Sequence, residues 1–222
     1  MSHKCAWCHI SPGVINIHPS LQDKHTLFCQ ECHNDYSEFK PSQKTPAGII
    51  PSCFLKETKQ QYFLFGLEKA GWCHLQGNAD PSDKSVKMTA CREGAEEACY
   101  SIGTPQYIMK EFFDKGKYSQ PGNWGAFILN FGEMSQKEMN NIIQKHKENI
   151  IKIKSLNREP TNCEKEMLEL RWCLVNDFKQ SVTNCNDKQN LVVGGFDSRK
   201  FRPWCLPYYK VLVDNLLLHT FL

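Results

Sequence analysis

Long apolar runs are missing from this sequence. No uninterrupted stretch approaches the ~18 apolar residues that a membrane-spanning helix needs. The first residues, Met-Ser-His-Lys-Cys-Ala-Trp-Cys, lack the apolar core of a secretory signal. Net charge is also small, because 27 basic side chains stand against 24 acidic ones and leave +3. That value identifies neither nucleic acid nor a membrane surface as the partner. We therefore expect a cytoplasmic protein without a membrane segment.

Cysteine, in contrast, is abundant, with 12 residues in a chain of 222. Four of them form two close pairs, Cys5-x-x-Cys8 and Cys29-x-x-Cys32, which we call the four-cysteine set. The other eight are scattered singly, which indicates small core residues or bystanders rather than a disulfide framework. A tetrahedral Zn²⁺ ion takes four thiolates, two from each Cys-x-x-Cys turn. The pattern predicts a structural zinc ribbon over residues 1–40, with free thiols or a redox pair as the alternative.

Beyond a proline-bounded connector at residues 41–47, apolar segments alternate with amphipathic ones. This alternation predicts an α/β domain over residues 46–222, with a helical insertion around 135–155. The predicted strands cover residues 48–55, 61–66, 72–75, 125–131 and 171–175, and the predicted helices cover residues 84–99, 135–155 and 208–219. Ser82 or Asp83 is available to cap the first helix, and Ser135 with Glu138 forms a capping box for the second.

The most informative segment carries three carboxylates on one helix. Glu93, Glu96 and Glu97 lie at positions i, i+3 and i+4, so they project from one face. Three close carboxylates repel one another, and a hard divalent cation such as Mg²⁺ compensates this repulsion. The alternative is a solvated acidic face with no ligand.

The stretch from Gly71 to Tyr100 resembles the Nudix hydrolase box, in which a glycine loop leads into a helix carrying Arg-Glu-x-x-Glu-Glu. Arg92 and the three glutamates that follow it match that motif, and the resemblance covers roughly residues 46–220. It implies an α/β/α sandwich with a mixed sheet. It also implies hydrolysis of a pyrophosphate bond, with Mg²⁺ or Mn²⁺ held by the glutamates and with Arg92 orienting them.

Two alignments of the box remain open. Counting back from Arg92 with the family spacing puts Asn78 at the glycine position and Lys84 at the acidic position. Alignment on Gly77 instead puts Asp83 at the acidic position and inserts one residue before Arg92. In either alignment Cys99 replaces the glycine that follows the helix motif.

A four-cysteine ribbon before a Nudix domain resembles the NADH pyrophosphatase subgroup, and Ser119-Gln120-Pro121 begins like the specificity segment of that subgroup. The resemblance implies a further metal-binding glutamate at Glu166, six residues before Trp172, with Glu169 as a near alternative. Glu133 or Glu169 is a candidate to take the proton of the attacking water. The implied substrates are NAD(H)-like dinucleotides first, then ADP-ribose, dinucleoside polyphosphates and nucleotide-capped RNA.

The predicted helix 135–155 carries five lysines against two glutamates, a sum of +3. Such a face is either simply solvated or attracts phosphate or RNA, so RNA remains an open candidate partner.

The competing function is a catalytically degenerate Nudix module that binds nucleotide or RNA. Dimers are common in the family, and a homodimer is therefore also implied by the resemblance. The five lysines of the predicted helix 135–155, which we call the basic face, are Lys137, Lys145, Lys147, Lys152 and Lys154.

Overall fold

The computed structural model describes residues 46–120, 125–155, 167–183, 201–202 and 205–218. The predicted zinc ribbon and its four-cysteine set lie outside these ranges and stay a prediction. The strands are β1 (Ala47–Leu55), β2 (Gln61–Glu68), β3 (Gly71–Cys73), β4 (Leu75–Gly77), β5 (Tyr118–Ser119), β6 (Ala126–Met134) and β7 (Glu169–Leu174). The helices are α1 (Val86–Glu97), α2 (Pro105–Ile108) with a π-helical turn at Met109–Phe113, α3 (Gln136–Ser155), α4 (Val175–Thr183) and α5 (Leu206–Leu218).

All of these strands join one mixed sheet. β1 runs parallel to β6 and antiparallel to β2. β1 and β2 pair at one end and separate toward the other, where β3 and β4 fill the gap: β3 pairs with β2, and β4 pairs with β1. β7 extends the sheet beyond β2, and β5 extends it beyond β6. The described residues therefore form the mixed α/β arrangement that the alternating pattern predicts.

Helices cover both faces of this sheet. On one face α1 lies so close to β1 that a Cβ added at Gly94 would sit 2.3 Å from Cδ1 of Ile49. Met139 of α3 packs on that same face, against a small cluster at the far end of β1. On the other face Phe65 of β2 stacks on Phe178 of α4, with ring centroids 5.2 Å apart. α1 and α3 therefore share one face, while α4 and α5 cover the other.

The start of α1 differs from the sequence prediction. The cap is Ser85, whose side chain accepts a hydrogen bond from the Met88 amide, rather than Ser82 or Asp83. The helix is consequently shorter than the predicted 84–99. Asp83 is used elsewhere, because its carboxylate pairs with Arg92.

The end of α1 is held by two backbone hydrogen bonds, from Cys99 N to Glu96 O and from Tyr100 N to Ala95 O. This is a Schellman arrangement, which favours glycine at the position of Cys99. Cys99 has φ +46° and so adopts the left-handed conformation without being a glycine, at a cost of about 1 kcal/mol. Asn149 of α3 donates to the Cys99 carbonyl at 2.7 Å, which fixes the last turn of α1 against α3.

The helix predicted at 135–155 is present, and its capping box is confirmed: Glu138 N donates to Ser135 Oγ, and Ser135 N donates to Glu138 Oε2 at 2.7 Å. The helix packs against the sheet. The indole Nε1 of Trp172 donates to the Met139 carbonyl, and His146 lies buried in the helix face that contacts the sheet.

Several elements were not predicted. The strand expected at 72–75 is two strands interrupted at His74. The strand expected at 171–175 begins at Glu169 and ends at Leu174, because Val175 starts α4. α2, the π-helical turn and β5 also escaped the periodicity analysis, since each is too short to show a period. In the described part of the chain, no helix is long and apolar enough to cross a membrane.

Candidate functional site

Arg92 is the centre of the candidate site. Its Nη2 donates to Asp83 Oδ2 at 2.7 Å, and its Nη1 donates to Glu93 Oε1 at 2.8 Å and to Glu96 Oε2 at 3.2 Å. Nη2 also donates to the carbonyl of Asn78 at 2.8 Å. Burial by itself lowers the pKa of this guanidinium, but the hydrogen bonds and charges of Asp83 and Glu93 outweigh burial and raise it above its ordinary value. Arg92 therefore makes charge-assisted hydrogen bonds to three carboxylates, two of them from the glutamates of the motif.

Glu93 depends on a glycine in β4. A Cβ added at Gly77 would lie 2.2 Å from Cδ of Glu93 and 2.2 Å from its Oε2. A larger residue at this position would displace the Glu93 carboxylate, and Glu93 is only 4% exposed. The carboxylate therefore occupies the space left by the missing side chain of Gly77.

The contacts of Arg92 also bear on the two alignments of the box. Asp83 is buried and pairs with Arg92, whereas Lys84 is exposed. These contacts tie Asp83, rather than Lys84, to Arg92, and the choice between the two alignments stays a prediction.

Glu97 is held by the same strand. One of its carboxylate oxygens accepts a hydrogen bond from the backbone N–H of Gln76 at 2.7 Å, and Glu97 is buried. Glu96, the third glutamate of the motif, keeps 23% of its side chain exposed. Of the three carboxylates, two are therefore enclosed between α1 and β4, and Glu96 is the one open to water.

A fourth glutamate near this site escaped the sequence analysis. Glu68, at the end of β2, is buried and forms an ion pair with Arg202. It also accepts a hydrogen bond from the Cys73 thiol at 3.0 Å. Burial raises the pKa of the Cys73 thiol well above its ordinary value, and the charges of Glu97 and Glu68 add to that shift. The sequence gives no signal for Glu68, because a single acidic residue at the end of an apolar strand looks like any other strand end.

The other predicted acidic residues do not join Arg92. Glu169 pairs with Arg171 of its own strand at 2.8 Å. It lies opposite Leu67, on the sheet face that α4 and α5 cover. Glu133 forms an exposed pair with Lys59 at the far end of β6 from Ala126. Glu166 lies outside the described residues, so its predicted role is untested.

The carboxylates as placed do not surround a common point. Within the described ranges, no three His, Cys, Asp or Glu side chains are arranged to hold a metal ion. Glu93 and Glu96 turn toward Arg92, and Glu97 turns toward the Gln76 amide. Their oxygen donors are nevertheless of the type that Mg²⁺ and Mn²⁺ prefer. Binding an ion there requires a carboxylate to turn away from Arg92, and the partly exposed Glu96 has the room to do so.

Comparison with known proteins adds little to this geometry. No family model matches the sequence, and no curated protein matches it. Among solved structures, 11 chains match. One is a crystal structure of a C. elegans Ap4A hydrolase binary complex, which is 11% identical, covers 80% of this chain and 100% of its own, and has a TM-score of 0.35. A TM-score this low carries no argument about fold, activity or substrate.

Proposed function

We propose that this chain is a divalent-metal-dependent hydrolase of the Nudix type. Its substrate would be a nucleoside diphosphate linked to a second moiety, cleaved at the pyrophosphate bond. The observation that carries the proposal is the contact of Glu93 with Gly77 and Arg92. A solvated acidic face would leave this carboxylate in water, whereas here it is buried, orientated and charge-compensated.

Glu93, Glu96 and Glu97 would hold the cation, with oxygen donors suited to Mg²⁺ or Mn²⁺. Such an ion neutralises the diphosphate and lowers the pKa of a water molecule that attacks phosphorus. The contribution of this chain is positional: Arg92 holds two of the carboxylates, and the Gln76 amide holds the third. These contacts hold Glu93 and Glu97 in place, and Glu96 would turn away from Arg92 to complete the site.

Glu96 is our candidate to accept the proton of the attacking water, because its side chain is the exposed one of the three. A proton acceptor must lie within hydrogen-bond reach of the water that it activates. Glu169 lies on the opposite face of the sheet and Glu133 at the far end of β6. We therefore assign neither of them this role.

For the substrate we propose an NAD(H)-like dinucleotide first, followed by ADP-ribose, dinucleoside polyphosphates and nucleotide-capped RNA. This order depends on the resemblance of Ser119-Gln120-Pro121 to the NADH pyrophosphatase segment. The structure describes this segment only as far as Gln120. A structural Zn²⁺ in the four-cysteine set and a cytoplasmic location belong to the same proposal.

A second candidate function is a non-catalytic module that binds nucleotide or RNA. The observation in its favour is that Arg92 already engages both Glu93 and Glu96. A guanidinium that permanently neutralised these carboxylates would leave them unable to bind a cation. The two candidates differ in whether the unmodified protein turns over any substrate.

The test is incubation of the full chain with NADH, ADP-ribose, diadenosine tetraphosphate and nucleotide-capped RNA, each with Mg²⁺, with Mn²⁺ and with EDTA. Released nucleoside monophosphate is measured by chromatography. We expect turnover of at least one substrate in the metal arms and none with EDTA. Glu133→Gln is the matched control and should retain that turnover, since Glu133 lies in an exposed pair with Lys59. Binding of a substrate without turnover in any metal arm would contradict the hydrolase and support the binding module.

A further inference from the structure

Gln76, which hydrogen-bonds to Glu97, also contacts a residue in the C-terminal part of the chain. Gln76 donates its backbone N–H to Glu97 Oε2 at 2.7 Å. Its side-chain Nε2 lies 3.2 Å from the Cys205 sulfur. Gln76 therefore joins the carboxylate of α1 to the residue that precedes α5.

Cys205 is hydrogen-bonded to Arg202, which lies beside β3. Phe201 forms a parallel bridge with Trp72, and Arg202 N donates to the Trp72 carbonyl at 2.9 Å. Cys205 N then donates to the Arg202 carbonyl, also at 2.9 Å. The position of Cys205 beside Gln76 is thus tied to the position of Arg202 beside β3.

A partly buried ion pair holds Arg202 in that place. Its guanidinium pairs with Glu68 at the end of β2, and the two side chains are 18% and 7% exposed. Glu68 also accepts the hydrogen bond of the Cys73 thiol, so its carboxylate contacts both β3 and the C-terminal segment. Removing one partner of such a pair leaves the other charge uncompensated. Without Glu68, we expect Arg202 to leave its position beside β3.

We propose that Glu68 and Arg202 are positioning residues for Glu97. The pair holds Arg202 against β3, and the Arg202 carbonyl holds Cys205. Cys205 contacts the side chain of Gln76, whose backbone N–H orients the carboxylate of Glu97. The metal-related part of this inference depends on the proposed function, whereas the link to Gln76 does not. Groups that hydrogen-bond directly to a metal ligand, as the Gln76 backbone N–H does to Glu97, commonly change metal affinity by 10- to 100-fold when they are lost. Arg202 acts on that group through Cys205, so its replacement should have a smaller effect.

The first test measures hydrogen exchange at the Gln76 amide in metal-free buffer. Arg202→Met removes the cation and keeps an apolar stem, and Glu68→Gln is a milder variant that keeps the acceptor of the Cys73 thiol. We expect Gln76 to exchange at least ~10-fold faster in Arg202→Met and less than that in Glu68→Gln. The amide of Leu129 in β6 is the internal reference, because β6 lies on the opposite side of β1 from β4. Global destabilisation would accelerate both amides alike, so a Gln76 rate that changes only in step with Leu129 would overturn the proposal.

The second test measures Mn²⁺ binding to the same proteins by calorimetry. We expect the Kd to rise by up to about 10-fold in Arg202→Met, the lower bound for a group bonded directly to a metal ligand, with partial rescue in Arg202→Lys. Lys115→Met breaks the exposed Lys115–Glu111 pair and should bind as the wild type does. Faster exchange at Gln76 with unchanged Mn²⁺ affinity would overturn the role toward Glu97. Failure of the wild type to bind Mn²⁺ would contradict the proposed function instead, and the exchange of Gln76 would still decide the positioning claim.

Discussion

Replacement of Arg92 with Met tests whether the carboxylates form a built site or an acidic surface. The guanidinium pairs with Asp83 and Glu93, whose side chains are 4% and 5% exposed. Met keeps the aliphatic stem but leaves two buried carboxylates without their cation. Removing one partner from a buried pair typically costs 3–5 kcal/mol. We expect Arg92→Met to lower the free energy of unfolding by at least about 3 kcal/mol.

The assay is urea unfolding at neutral pH in EDTA, so that no metal contributes. The matched control is Lys59→Met, because Lys59 and Glu133 are 65% and 53% exposed. An exposed pair of this kind contributes less than about 1 kcal/mol. Asp83→Asn in the Arg92→Met background should recover part of the loss, since it removes one of the uncompensated charges. A cost below about 1 kcal/mol for Arg92→Met, equal to that of the control, would refute the reasoning.

Three further predictions concern pH, charge and zinc. Burial lowers the pKa of His74 to about 3 and that of His146 to about 4, from an ordinary 6.5. The unfolded chain therefore binds protons below pH 6.5 that the folded chain does not, and each histidine costs about 2 kcal/mol of stability at pH 5. His146→Leu should flatten this loss in urea titrations at pH 7 and pH 5, and an identical loss in the variant would contradict it. Neutralising Lys145, Lys147 and Lys152 together should leave nucleotide affinity unchanged if the basic face is merely solvated. Weaker RNA binding with a flatter salt dependence would show instead that the basic face binds a polyanion. Elemental analysis of protein purified without added metal should find one Zn²⁺ per chain, and less than half an equivalent with freely titrating cysteines would contradict the ribbon.

Local spacing predicted much of the candidate site. The i, i+3, i+4 arrangement of Glu93, Glu96 and Glu97 is set by helix geometry alone. The capping box of Ser135 and Glu138 is likewise a contact within one turn. Such features can be read from the sequence because the interacting groups are neighbours along the chain.

The start of α1 was predicted wrongly for a related reason. Ser82, Asp83 and Ser85 are all acceptable caps by residue type. The choice of Ser85 depends on Asp83 being engaged by Arg92, nine residues later. That ion pair requires the turn before α1 to fold back along the helix, which no local rule specifies.

Contacts between distant segments could not be predicted at all. Glu68 and Arg202 are 134 residues apart, and neither lies in a recognisable motif. Glu169 and Glu133 fail as neighbours of Arg92 because strand order and register decide which sheet face and which end a residue occupies. The sequence pattern predicts that these strands exist, but not how they pair.

The most direct test of the central claim is the turnover of Glu97→Gln on the best substrate with saturating Mg²⁺. Gln keeps the size of the side chain and an oxygen to accept the Gln76 amide, while it removes one charge from the proposed metal site. We predict a fall of at least ~10² in kcat, or about 2.7 kcal/mol of barrier. The melting temperature without metal should stay level, and the stabilisation by added Mg²⁺ should shrink. Wild-type turnover in Glu97→Gln would contradict the claim that these carboxylates form the catalytic centre.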